Sequence, residues 1–334
     1  MLDRELGSTG IRVSPIALGA GPVSGLMTGG DRRAQTEVVA HAVDRGINWI
    51  DTAATYGQGR SEESLGRALA ELRIGDRVHV ATKVRIDLNA PRPVIEQIHE
   101  SVDSSLRRLR LERLTLLQLH NSITHAAGDE PTSLPPELVL SEDGVLGAFD
   151  ALRQVGKVVH IGITGLGHPQ SMAKVLRAGH WATVQTPYSL LNPSAGCEMP
   201  AAFGEANYGN LFATCNRHAV GVFAIRVYAA GALLGQQPSA HTLKTPFFPL
   251  DLYRRDERRA TQLAKVVASH GITLQEAAVR FVVTNPAVSS AMIGFANRQQ
   301  IDAAIAAAEA GPLPGECAHD IDSAIANNYA EQTA

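Results

Sequence analysis

Cysteine is scarce in this chain. Its 334 residues include three, Cys197, Cys215 and Cys317. Their spacing fits neither a C-x-x-C pair nor a zinc-ligand pattern, which excludes a disulfide framework or a thiolate metal site. An odd, sparse set suits a reducing cytoplasm, so the expected localisation is cytoplasmic. An excess of one charge is also missing: 30 Lys plus Arg stand against 33 Asp plus Glu, a net charge of −3. Nothing in that balance calls for nucleic acid or an anionic membrane as partner. No apolar run is long enough to cross a bilayer. The opening residues, Met1-Leu2-Asp3-Arg4-Glu5, are charged, unlike a signal peptide. No Pro/Gly/Ser-rich linker divides the chain, so a single domain over residues 1–334 is expected. A hydrophobic content of 45% is enough for one large core.

What is present is organised around residues 46–69, GINWIDTAATYGQGRSEESLGRAL. A short apolar strand at 47–50 runs into Asp51, and a turn follows with Tyr56, Gly57 and Gly59. Leu65, Ala68, Leu69 and Leu72 then recur at helical spacing. Ser61 reads as the N-cap of that helix, with Glu62 and Glu63 in its first turn. An ionisable Asp and a phenol thus share a strand-to-helix loop, a common place for catalytic groups.

The same strand-then-helix unit repeats along the chain. Residues 4–20 predict a hairpin around Ser8-Thr9-Gly10 and then a strand ending at Gly19. A helix over 33–45 stops at Gly46. Strands follow at 78–84, 114–120, 157–164, 183–188, 220–227 and 289–294. Helices are expected at 93–109, 145–155 and 170–177, with helical stretches near 205–218 and 256–270. Eight βα units predict an α/β fold: a closed (β/α)8 TIM barrel with an N-terminal β-hairpin, an open doubly wound sheet being second choice.

Strand parity then locates a site. Residues i and i+2 share a face of a strand, and outward positions of barrel strands meet helices and are aliphatic. Val78, Val80, Thr82 and Val84 form an outward row, so His79, Ala81 and Lys83 face in. Leu117 and Leu119 point out, so Gln118 and His120 point in. By the same rule His160, Gly162, Thr164, Thr183, Gln185, Trp49 and Asp51 face in. The last inward residues of successive strands are Asp51, Lys83, His120, Thr164 and Gln185. All are polar and lie at C-terminal strand ends, where barrel enzymes place their chemistry. Each alone has an ordinary structural account: a turn cap, an ion pair, a satisfied core histidine. Together they mark a site, because unpaired buried charge is costly.

These groups suit one kind of chemistry. A free phenol titrates near about 10, poorly matched to proton transfer at neutrality. A Lys83 cation beside Tyr56 favours the phenolate, and Asp51 keeps Lys83 protonated and oriented. His120 is placed to hydrogen-bond a substrate oxygen or to assist proton transfer. The set describes a proton donor for an oxygen gaining negative charge, as in carbonyl reduction, and it needs a hydride source.

The motifs carry a resemblance over nearly the full length. Asp51-Thr52-Ala53-x-x-Tyr56-Gly57 with Ser61-Glu62 and Leu65-Gly66, Ala81-Thr82-Lys83, Leu119-His120, Gly156-Lys157-Val158-x-x-Ile161-Gly162, and Val184-Gln185 before Tyr188-Ser189-Leu190-Leu191-Asn192 resemble those of the aldo-keto reductases. The resemblance implies an NADPH-dependent reductase with the catalytic tetrad Asp51, Tyr56, Lys83 and His120 and no metal. The partner it implies is a small aldehyde, ketone or sugar. Cofactor contacts are expected from Gly19, Asp51, Thr164, Gln185, Arg226, Gly294, Ala296, Arg298 and Gln300. It places Ala296, Asn297 and Arg298 near the adenosine 2′-phosphate and Gln300 at the adenine, with NADH a possible substitute for NADPH.

Two departures stand out. Gly162-Ile163-Thr164-Gly165 replaces the usual Gly-Val-Ser-Asn, so the Asn amide is gone. On the seventh barrel strand, Ile225 takes the place of a stacking aromatic and Arg226 follows it. The stretch Gly165-Leu166-Gly167-His168-Pro169-Gln170 imitates a dinucleotide fingerprint, but its third glycine and its downstream acid are missing. The stretch 294–300, which follows the eighth barrel strand and opens a helix, is the better phosphate site, since backbone N–H groups and the helix dipole face an anion there.

Long segments at 121–143, 189–204 and 229–255 are expected to shape the substrate pocket, with Phe247, Phe248 and Tyr253 as apolar contacts. The tail from 311 to 334 is helical in pattern and a candidate to close the pocket. Three functions compete: an NAD(P)H-linked oxidoreductase, a Schiff-base lyase using Lys83, and an NADPH-binding sensor or subunit with vestigial catalysis. Oligomeric state is left open.

Overall fold

A computed structural model describes residues 1–200, 203–245 and 250–329. Two short strands, β1 (Arg4–Glu5) and β2 (Arg12–Val13), pair antiparallel as the expected hairpin. Eight parallel strands then close a barrel: β3 (Ile16–Gly19), β4 (Trp49–Asp51), β5 (His79–Val84), β6 (Leu114–Leu119), β7 (Val158–Thr164), β8 (Thr183–Pro187), β9 (Gly221–Ile225) and β10 (Ser290–Ile293). Their order around the barrel is the order of the chain, with β10 pairing back onto β3.

Helices between strands form the outer layer: α1 (Arg32–Asp44), α2 (Arg60–Leu72), α3 (Val94–Leu109), α4 (Pro136–Val139), α5 (Val145–Gln154), α6 (Pro169–Arg177), α7 (Leu211–Arg217), α8 (Leu250–Ala268), α9 (Leu274–Val283), α10 (Arg298–Glu309) and α11 (Gly315–Ala326). Helix α9 is absent from the periodicity reading, because all but one of its last eight residues are apolar or buried, which blurs a 3.6-residue rhythm. The stretch near 205–218 holds only the short α7, and α8 begins six residues before the expected 256.

The parity argument holds. Val78, Val80, Val84, Leu117, Leu119, Ile161 and Ile163 pack outward into the helix layer. Trp49, Ala81, Leu116, Phe223 and Met292 fill the barrel, joined by Leu6 and Val13 of the hairpin, which plugs the N-terminal end. A second cluster lies under the long loops, built from Leu190, Leu191, Ala232, Leu233, Tyr253, Leu263, Cys317, Ile321 and Ile325. Tyr253 therefore does not reach the substrate side: it is fully buried in this cluster and its Oη donates to Gln236 O at 2.6 Å. Phe247 and Phe248 lie outside the described residues. The tail packs on α8, and Tyr329 Oη stands 2.9 Å from the carbonyls of Leu190 and Leu191. Its described part, to residue 329, anchors the loop after β8 and contributes no residue to the wall of the barrel-mouth cavity. No described helix is long and apolar enough to cross a membrane.

Candidate active site

The phenol is positioned by the first turn of α2. Gly59, not Ser61, holds the N-cap position, in the left-handed region at φ 90°, which Gly adopts without a Cβ penalty. Ser61 lies one step inside the helix and is buried. Its Oγ donates to Ala20 O at 2.7 Å and lies 2.8 Å from Thr52 Oγ1. Glu62 is also fully buried, accepting from Thr82 Oγ1 at 2.5 Å and pairing with Arg108 at 2.6 Å. These two side chains tie α2 to the ends of β3 and β4, to β5 and to α3. The loop bearing Tyr56 is held between those anchors, with Ser61 N donating to Tyr56 O at 3.3 Å.

Lys83 sits at the centre. Its ammonium donates to Asp51 Oδ1, to Thr52 O at 2.8 Å and to Tyr56 Oη at 3.2 Å. Asp51 and Lys83 are both buried. A buried ion pair is tolerable only when its remaining lone pairs are satisfied. Asp51 Oδ2 is satisfied twice, by Gln118 Nε2 at 3.0 Å and by Gln185 Nε2 at 2.6 Å. Burial alone favours the neutral amine, but the Asp51 carboxylate and the Tyr56 oxygen outweigh it and hold Lys83 above the usual lysine range.

His120 follows β6. Its ring meets the Tyr56 ring edge-on at 5.6 Å between centroids, and its Nδ1 lies 3.3 Å from Thr55 Oγ1. Burial, with Lys83 and Arg85 nearby, pushes the imidazole well below its ordinary range. The ring is therefore neutral near pH 7, an uncharged hydrogen-bonding group rather than a cation.

All four tetrad residues thus meet at one end of the barrel. Asp51, Tyr56 and His120 border a cavity of about 1010 Å³ at the C-terminal ends of the strands. Gly19, Thr164, Gln185, Arg226, Gly294, Ala296 and Gln300 also line it. Ile225 borders it too, an aliphatic side chain in the place expected for it from the sequence. Thr164 Oγ1 donates to Leu119 O at 2.6 Å. The glycine at 165 is locked in place: a Cβ there would lie 2.8 Å from Val184 Cγ2. An Asn at this position would require the Val184 side chain to give way.

Arg298 stands apart from the rest. It is the first residue of α10, exposed, and does not border the cavity; its guanidinium lies 4.0 Å from Glu37. Gln300 Oε1 accepts from Ala296 N at 2.7 Å, and Asn297 Oδ1 accepts from Gln300 N at 3.0 Å. This near-reciprocal cap stiffens the turn, and it engages the Ala296 N–H that was expected to face a phosphate.

Two parts of the wall escaped the sequence reading. The loop after β3 contributes Gly21, Pro22, Val23, Ser24, Gly25 and Thr28. Its position after a barrel strand was the available signal. Arg85 borders the cavity two residues beyond Lys83, where the same parity points it inward. Of the long segments expected to shape the pocket, 229–245 does so, 121–143 contributes Ser122, and 189–204 contributes none of its described residues.

The cavity suits a nicotinamide dinucleotide. Its lining includes Asp51, Tyr56 and His120 and also Ala296 and Gln300 at the start of α10. Arg226 and Lys244 border it as well, with Gln185 and Thr164.

Comparison with known proteins agrees with this geometry. The family model described as the aldo/keto reductase family matches residues 15–326. The chain is 26% identical to aldo-keto reductase YhdN of Bacillus subtilis, over 98% of this chain and 94% of that protein. It is 27% identical to L-galactose dehydrogenase of Arabidopsis thaliana, over 91% of this chain and 87% of that one. Among solved structures, the holo form of aldo-keto reductase AKR11C1 from Bacillus halodurans superposes with a TM-score of 0.71 at 24% identity, covering 97% and 96% of the two chains.

Proposed function

Because the chain belongs to the aldo/keto reductase family of oxidoreductases, we propose that it interconverts an aldehyde, ketone or sugar carbonyl with its alcohol, with NADPH as the preferred cofactor and Tyr56 as proton donor. The observation that carries this reading is the Asp51–Lys83–Tyr56 chain, with Lys83 Nζ 3.2 Å from Tyr56 Oη. Similarity to an L-galactose dehydrogenase supports a sugar as one substrate class.

When bound, the reduced nicotinamide supplies a hydride to the carbonyl carbon. The chain's own work is to manage the oxygen. Neutral His120 orients and polarises the carbonyl through one hydrogen bond. Tyr56 Oη delivers a proton to the oxygen as charge builds there. The Lys83 cation stabilises the phenolate that remains until solvent returns the proton. Asp51, with Gln118 and Gln185 fixing its second oxygen, keeps Lys83 charged and aimed. For oxidation of an alcohol the same groups run in reverse.

A Schiff-base lyase fits the site poorly. Such chemistry needs a neutral amine, and Lys83 is held above the ordinary lysine range by Asp51 and Tyr56. Paired binding titrations with NADPH and NADH, followed by rates on a panel of aldehydes, ketones and sugars, test the proposal. Reduction of no carbonyl compound by protein loaded with either cofactor would overturn it.

A further inference from the structure

Arg85 lies on a rigid base at the barrel mouth. His120 N donates to Val84 O at 2.8 Å, just before it. Buried Asn121 grips the next residue from both sides: its Oδ1 accepts from Ile86 N at 2.9 Å and its Nδ2 donates to Ile86 O at 2.8 Å. A side chain carried on such a base is a credible reader of ligand shape.

The barrel order separates Arg85 from the cofactor wall. Strand β5 stands directly across from β9 in the ring of eight. Arg226, just after β9, and Lys244, in the following segment, border the far side with Gly294, Ala296 and Gln300. Arg85 belongs to the near side, with Tyr56, His120 and Ser122. The charges bordering the cavity are also unbalanced. The described residues supply Arg60, Arg85, Arg226 and Lys244 against one carboxylate, Asp51, and that is committed to Lys83. Arg60 is exposed and spends its Nε on Gly57 O at 3.0 Å. Arg85 is half-buried, and burial works against its cation. A planar guanidinium at the cavity edge matches a carboxylate through paired hydrogen bonds.

We propose that Arg85 binds a carboxylate on the substrate, a short chain away from the carbonyl held by Tyr56 and His120, so that the enzyme favours aldehyde acids or oxo acids over uncharged carbonyls. This rests on the carbonyl-reductase reading, and the test separates the two.

Steady-state rates on succinate semialdehyde and on butanal, matched in length and differing in the carboxylate, are compared in wild type, Arg85→Lys and Arg85→Gln with saturating NADPH. The wild type favours the acid by at least about 10-fold in kcat/KM. That preference falls by roughly 10- to 100-fold in Arg85→Gln, the scale of one hydrogen-bonded contact to a charged group. Arg85→Lys keeps part of it, and added salt lowers the rate on the acid more than on butanal. In parallel, calorimetry follows succinate, which cannot be reduced, binding to each protein with and without NADP, while circular dichroism checks the fold. Succinate binding lost in Arg85→Gln but kept in Lys244→Gln supports the assignment even if neither aldehyde is reduced, in which case the reductase reading falls alone. Equal succinate binding by wild type and Arg85→Gln, no succinate binding by the wild type, or an unmoved aldehyde ratio overturns the role of Arg85.

Discussion

The Lys83 ammonium lies 3.2 Å from the Tyr56 phenol oxygen and, on its other side, against the Asp51 carboxylate. A cation so placed makes a phenol useful as an acid, because it stabilises the oxygen once the proton has left. Tyr56→Phe removes only that oxygen. The ring still meets His120, so fold and cofactor binding stay nearly intact. Carbonyl reduction should drop by at least about 100-fold, the ordinary scale of acid catalysis. A variant that reduces its substrate at the wild-type rate would remove Tyr56 from the mechanism.

The same pair predicts a stability effect. Lys83→Met leaves Asp51 buried without its counter-charge, which typically costs about 3–5 kcal/mol. Adding Asp51→Asn removes the stranded charge, so the double variant should be more stable than Lys83→Met alone in urea denaturation. The pH dependence has a definite sign. Lys83 is held above its unfolded value, so the stabilisation is fully present below about 10.4, the ordinary lysine value, and is lost as pH rises through the folded one. Lys83→Met should lose that alkaline limb, and its carbonyl reduction near neutrality should fall. Equal stability of the single and double variants would mean that Asp51 is satisfied without Lys83.

His120 gives a prediction on the acid side. Its folded imidazole resists protonation, while the unfolded one takes a proton near about 6.5. The unfolded state therefore binds more protons below that pH, and stability falls as pH drops. His120→Gln should flatten this acid limb relative to wild type between pH values of about 5 and 7. Nitrogen-15 spectra should show a neutral ring at about pH 6. A ring that titrates at the ordinary imidazole value would contradict the depression caused by burial and by the nearby Lys83 and Arg85 charges.

Much of this site was legible because its logic is local to strands. Aliphatic rows such as Val78, Val80 and Val84 declare the outward face, and Lys83 follows from them by parity alone. The barrel followed from repetition of that unit. Roles set by distant partners were not legible. Ser61 reads as a cap because Ser favours N-caps, yet its hydroxyl answers to Ala20 and Thr52 from other strands. Glu62 reads as a first-turn acid, and its meaning comes from Thr82 and Arg108. Tyr253 reads as a pocket aromatic, but its ring completes a core formed with α9 and α11, which lie later in the chain. Gln118 was placed inward by parity, while its bond to Asp51 depends on the registers of β4 with β5 and of β5 with β6.

Cofactor choice remains to be tested at Arg298, because the geometry there is open. Its guanidinium is exposed, 4.0 Å from Glu37, at the first turn of α10. An exposed pair at that separation contributes little, so the side chain is available to an incoming phosphate. A guanidinium meets a phosphate through paired charge-assisted hydrogen bonds. Arg298→Ala should therefore weaken NADPH by roughly 1.5–3 kcal/mol while NADH, which lacks the 2′-phosphate, is nearly unaffected. Glu37→Gln removes a competing carboxylate and should strengthen NADPH slightly. Raising salt should weaken NADPH binding more in the wild type than in Arg298→Ala. Equal losses for both cofactors would give Arg298 a role in holding the loop. Loss for neither would shift the phosphate contact to Arg226, which already borders the cavity. Arg226→Gln then becomes the decisive variant, since a true 2′-phosphate contact there must again separate NADPH from NADH.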